Sequence, residues 1–148
     1  RFFKIILQEY CESFVRISAD SPFIDPFLID KAITLFNNNQ YDIVTNVFPR
    51  TFPKGFSVEV INSKLILEFL SKIKKKRHQE HLNSFFYDKY KNFKIKNFYN
   101  KINNSNINLS IDSFADFIRA KSILKFCKNK NYSLDYILLI YKKLFNEK

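Results

Sequence analysis

Two aspartates in this sequence stand where a metal-assisted reaction could be organised. The apolar run SFVRISA (13–19) ends at Asp20, and INLSI (107–111) ends at Asp112. Each reads as a strand tip leading into a helix, and in an open sheet ligands gather beyond the carboxyl ends of strands. Two carboxylates facing one crevice suit magnesium, which takes one or two protein carboxylates together with substrate phosphates. Both residues also have a purely structural reading, Asp112 as the cap of the following helix and Asp20 as a stabiliser of the turn at Ser21-Pro22. Spacing alone leaves the two readings open.

Several other chemistries are excluded by residue count. The chain has one glycine. A GxGxxG turn or a GxxxxGK[ST] loop needs at least two, so neither phosphate cradle lies within it. There is no HExxH and no CxxC. His78 and His81 flank Glu80, but a zinc site there lacks a third ligand. Cys11 and Cys127 are too few and too far apart for a disulfide framework, and read as buried, reduced thiols.

The 148 residues amount to one domain, 1–148, and 46% hydrophobic and 18% aromatic content is enough for a real core. The sequence holds no methionine and starts at Arg1, so it reads as a fragment or a processed chain. The longest apolar stretch, YILLIY (136–141), is far short of the ~20 residues of a membrane span. Nor does RFFKIILQEY, broken by Lys4, have the apolar run of a signal peptide. A cytoplasmic protein with no membrane partner is expected. The formal charge of +11 attracts polyanions. Yet abundant Lys, Asn, Ile, Phe and Tyr with scarce Gly and Ala is also what an AT-rich coding sequence produces. Single-stranded RNA is the nucleic-acid partner that many aromatics and lysines would suit; it is disfavoured because those aromatics fall mostly on expected core faces.

The elements that must position the two aspartates follow from periodicity. A helix over 2–10 precedes a strand at 13–19. Asp25-Pro26 caps and opens a helix whose apolar face is Phe27, Leu28, Ala32, Ile33 and Phe36, ending at Asn37-Asn38-Asn39. A strand at 41–46, a Pro-rich loop at 47–55 and a strand at 56–61 follow. Ser63 starts a helix to Lys76, with Leu65, Ile66, Phe69, Leu70 and Ile73 at helical spacing. A further helix covers 78–89, and strands fall at 93–99 and 107–111. Ser113 and Asp116 resemble a capping box opening a helix to Lys128. The last helix starts at Ser133 and buries Leu134, Ile137, Leu138, Tyr141, Leu144 and Phe145. Alternating strands and helices predict an α/β layered fold with a largely parallel sheet.

Four motifs in order carry a family resemblance. RISADSPFIDPFLIDKAI (16–33) resembles the Arg-x-(Thr/Ser)-(Gly/Ala)-Asp-x-Pro-(Leu/Phe)-Ile-Asp-Pro segment of sugar-acid cytidylyltransferases. NVFPRTFPKGFSVEV (46–60), Glu80-His81 and NLSIDSFADF (108–117) match further segments of that family. The nearest branch is the one serving spore coat polysaccharide biosynthesis, related to the acylneuraminate and 3-deoxy-manno-octulosonate enzymes. The resemblance implies a three-layer α/β/α nucleotide-diphospho-sugar transferase fold with a mostly parallel sheet. It also implies that this chain is the rear portion, lacking the N-terminal βα units and their CTP-binding segment. The implied reaction joins CTP and a sugar acid to give a CMP-sugar and pyrophosphate. By that resemblance Asp20 and Asp112 are the metal-binding, catalytic carboxylates for magnesium. Arg50, Lys54, Glu59 and His81 line the acceptor side, where the cations suit a carboxylated sugar. The unit around 47–61 lies where relatives build a dimer contact.

The sequence also departs from that family. Ser57 stands where the family has Asp, Gln79 where it has Arg, Asn108 near a usual Arg, and Phe114-Ala115 replace Pro-Glu. These departures motivate a second expectation, a non-catalytic relative, and imply that this chain alone is inactive.

Overall fold

The computed structural model describes residues 2–76, 78, 82–127 and 131–145. Gln79, Glu80 and His81, with the roles expected for them, lie outside the described residues, as do Arg77 and Lys128. The elements are α1 (Phe2–Glu9), β1 (Ser13–Arg16), α2 (Pro26–Asn37), β2 (Ile43–Thr45), β3 (Glu59–Asn62), α3 (Ser63–Phe69), α4 (Leu82–Asp88), β4 (Ile95–Asn97), α5 (Phe114–Phe126) and α6 (Leu134–Phe145).

The strands form one sheet in the order β1-β3-β2-β4. β3 pairs antiparallel with both β1 and β2, and β2 pairs parallel with β4. The sheet is therefore mixed, where a mostly parallel one was expected. The reason lies in the connection from β2 to β3. Residues 46–58 contain no helix, so the chain folds back beside itself, whereas a parallel return needs a crossover unit.

Alternation along the strands splits the core into two halves. Val15, Val44 and Val60 face one side, with Phe23, Phe52, Phe56, Ala32, Ile123 and Ile137. Phe14, Ile43 and Ile61 face the other, with Ile6, Leu65, Ile66 and Phe86. A strand points successive side chains to opposite faces, so helices cover both sides and the layers run α/β/α. Each fully buried Phe, Ile or Val on these faces contributes roughly 1.5–3 kcal/mol through burial.

Two helix starts behave as their residues require. Asp25 caps α2, its side chain accepting from Phe27 N, with Pro26 at the first helical position. Ser113 and Asp116 form a reciprocal capping box at α5. Asp replaces the usual Glu there, and its shorter side chain still reaches the backbone of Ser113 at 2.9 Å.

Three expectations are corrected. Phe27, assigned to the apolar face of α2, is 76% exposed, and Ala32 is the residue of this helix that is fully buried, packed in the core with Val44 and Val60 of the sheet. Phe145 is exposed and Ile140 takes the buried position in α6. Residues 107–111 form no sheet strand among the described residues, but a single parallel bridge between Lys54 and Asn108. Their backbone groups are shared between Lys54 and Asp20 instead of forming a ladder with one neighbour.

Candidate active site

The loop 46–58 is built around Asn46. Its side chain is fully buried, with Nδ2 donating to Phe56 O at 2.7 Å and Oδ1 accepting from Val58 N at 2.9 Å. One carboxamide thus closes the loop on itself and satisfies two backbone groups that burial would otherwise strand. Asn97 clamps the near end, accepting from Phe48 N and donating to Pro49 O beside the cis Phe48–Pro49 bond.

The far end is fixed by Gly55. Its φ of +93° falls in the region that L side chains rarely adopt, and a Cβ there would meet Leu109 C at 2.7 Å. This close approach lets Lys54 N donate to Ile107 O and Leu109 N donate to Lys54 O. The loop is thereby tied to the segment that carries Asp112.

One more bond closes the site. Ile111 N donates to Asp20 O at 2.9 Å, drawing the segment before Asp112 alongside the turn after β1. Asp20 and Asp112 line one open pocket of about 280 Å³, together with Arg16, Arg50, Lys54 and Glu59. Ser21 Oγ donates to Asp20 Oδ1 at 3.0 Å. Ser110 Oγ lies between Asn108 Oδ1 at 2.7 Å and Asp112 Oδ2 at 2.8 Å, and can donate to either. Each aspartate is thus oriented by a neighbouring serine hydroxyl.

Asp116 anchors the Asp112 side. Its Oδ2 accepts from the backbone N–H groups of Asp112 and Ser113, and its Oδ1 pairs with Arg119. The hydrogen bond from Ser113, followed by that from Arg119, holds its carboxyl down at about 2.

Across the pocket Glu59 is only 2% exposed. Arg16 is its cross-strand partner in the β1·β3 ladder and bonds Oε2 at 2.5 Å, while the Tyr87 hydroxyl bonds Oε1. Tyr87 OH also lies 3.1 Å from Thr45 Oγ1, and its ring stacks on Phe48 at 4.6 Å. Burial first, then the Glu59 charge, pushes the Tyr87 phenol well above its ordinary range, so it stays a donor. Both Glu59 oxygens are therefore engaged within the protein. Arg50 donates to Ser57 Oγ at 3.0 Å and Pro53 O at 3.3 Å, both neutral, and burial lowers its guanidinium pKa. With Arg16 and Glu59 paired, the pocket also presents Arg50, which lies within the field of the Glu59 charge, and Lys54 alongside Asp20 and Asp112.

Five of the six expected site residues share this pocket. The sixth, His81, lies outside the described residues. Arg16, Ser18, Ser21 and Ser110 join them without having been expected there, as does Ser57, noted in the sequence only as a departure from the family pattern. A charged residue inside each of two apolar strands, Arg16 and Glu59, was the available signal for the buried pair. Tyr87 gave none, because it reaches Glu59 across 28 residues of chain.

No protein-family model matches this sequence, and no curated protein matches it. A solved structure does match, that of a cytidylyltransferase from Leptospira borgpetersenii serovar Hardjo-bovis. The likeness has a TM-score of 0.92 and 26% sequence identity over 97% of this chain. The fold is a cytidylyltransferase fold. The chain spans 61% of the length of that Leptospira protein. Within the cytidylyltransferase fold, the α/β expectation stands, and the mixed strand directions described above refine it. No described helix is long and apolar enough to cross a membrane.

Proposed function

We propose that this chain forms the metal- and acceptor-binding part of a nucleotidyltransferase, a cytidylyltransferase that couples CTP to a sugar acid for surface polysaccharide synthesis. The observation that carries the reading is the convergence of Asp20 and Asp112 with Arg50 and Lys54 on one pocket in a fold shared with a cytidylyltransferase. The residues fit magnesium by donor chemistry: two serine-oriented carboxylates on an open pocket leave room for substrate phosphates and water. Bound there, magnesium would neutralise charge on the triphosphate.

The chain's own residues take the remaining roles. Asp20 and Asp112 would hold the ion. Lys54, exposed at the rim, and Arg50, anchored on neutral oxygens, would orient the anionic acceptor and keep its hydroxyl facing the α-phosphate. Glu59 supports the wall by fixing Arg16. The dimer contact expected around 47–61 belongs to the same proposal, since this loop forms one side of the pocket.

The test uses Mn²⁺ in place of Mg²⁺, read by electron paramagnetic resonance with inorganic pyrophosphate present. Asp20→Asn and Asp112→Asn should each weaken Mn²⁺ binding at least about tenfold with little change in melting temperature, since each removes one of two charged ligands. Equal binding by wild type and both variants would sink the metal assignment. Supplying the front segment of a cytidylyltransferase with CTP and sugar acids tests turnover, and pyrophosphate release is the expected result.

A second reading, a non-catalytic relative, is favoured by Ser57, whose neutral hydroxyl receives the Arg50 bond where the resembling family has a carboxylate. It expects Asp20→Asn to leave the biological role intact.

A further inference from the structure

A second concavity, larger than the pocket of Asp20 and Asp112, is separate from it and shares no residue with it. It is a groove of about 620 Å³ between the starts of α2 and α6 and the segment 99–104. Ligand sites for small molecules run roughly 300–1,000 Å³, with an apolar lining and a few convergent polar groups. This groove fits that description. Leu28, Phe52, Leu134 and Leu138 form its floor. Phe27, Tyr99, Ile102 and Leu139 stand around it at 76%, 55%, 65% and 64% exposure.

Its charge is one-sided. Lys31, Lys101 and Lys142 line it, and among the described residues none of them pairs with a carboxylate. Lys31 Nζ lies 5.3 Å over the Phe98 ring. Of the two aspartates present, Asp25 is 5% exposed and occupied: Oδ1 accepts from Phe27 N and Oδ2 from Leu134 N, so it joins the starts of α2 and α6. That leaves Asp135 as the exposed carboxylate facing three lysines.

We propose that this groove is a second binding site, for a free anionic amphiphile: one acyl or aryl body on the apolar floor, and a carboxylate, sulfate or phosphate head among Lys31, Lys101 and Lys142. A second copy of the chain is the poorer occupant. It carries the same +11 charge, and two-fold pairing of this face would set like lysines against each other. A lipid surface is also the poorer occupant, because the apolar floor is recessed within a concavity sized for one small molecule.

The test titrates the chain with octanoate and with octanol, followed by calorimetry and by backbone amide shifts. Octanoate should bind saturably and at least tenfold more tightly than octanol, and should shift the amides of Phe27, Ile102 and Leu139. Leu139→Glu and Lys142→Glu should each weaken octanoate at least fivefold, and both sites are exposed enough to leave the fold intact. Phe117→Ser, at an exposed aromatic outside the groove, should bind as wild type does. Equal affinity for octanol, shifts confined to other residues, or unchanged binding by Leu139→Glu would overturn the proposal. So would adsorption to phosphatidylglycerol vesicles without octanoate binding, which would indicate a lipid surface instead.

Discussion

Single side chains hold this pocket's geometry, and two of them lend themselves to measurement. Asn46 satisfies Phe56 O and Val58 N from a fully buried position. Asn46→Ala should cost about 2–4 kcal/mol in urea denaturation, the sum of two stranded backbone groups. Asp116 gives a pH signature. Its carboxyl is held at about 2 in the folded chain, against about 3.9 when unfolded. The folded pKa is the lower one, so its contribution is complete above pH ~4 and is lost as pH falls toward ~2. Denaturation midpoints of wild type and Asp116→Asn should therefore differ most near neutral pH and converge across that acid window. Midpoints that stay parallel down to pH 2 would contradict the assignment.

At the scale of elements, the pocket depends on a loop rather than on the sheet. The 46–58 loop reaches Asp112 through Gly55, which lies against Leu109 and Ser110 with no room for a side chain. Gly55→Ala combines an unfavourable φ with contacts under 3.0 Å to backbone, and should destabilise by at least about 2 kcal/mol. It should also weaken Mn²⁺ binding, because the strained loop would release the 107–111 segment from Lys54. Unchanged thermal unfolding in this variant would mean that the loop and that segment are not coupled. The same coupling explains why 107–111, strand-like in its residues, forms no ladder: its partners are a loop and a turn.

For the molecule as a whole, the two core halves meet at one sheet. Phe56 belongs to one and Phe86 to the other, both fully buried. Each Phe→Ala change should cost about 3–5 kcal/mol. In both variants far- and near-ultraviolet circular dichroism should melt together, since Val44 and Ile43 link the halves within one strand. Separate transitions would show two independent units. Phe23, Phe52, Phe56 and Phe86 are the largest fully buried side chains. Phe27, Tyr90, Tyr99, Phe114, Phe117 and Phe126 are exposed instead, so the aromatic content is divided between core and surface.

Local signals made much of this legible from sequence. Asp25-Pro26 and Ser113/Asp116 announced helix starts because a cap is satisfied within three residues of itself. The apolar alternation of FSVEVI announced a strand, although pairing begins only at Glu59 and 56–58 belong to the loop, and two aspartates after apolar runs announced the pocket's carboxylates. Strand direction, the burial of Glu59 under Tyr87, the exposure of Phe27 and the reach of Gly55 to Leu109 were decided only by tertiary structure. Each depends on residues tens of positions apart, where closing the chain brings together groups whose spacing in sequence says nothing about their distance in space.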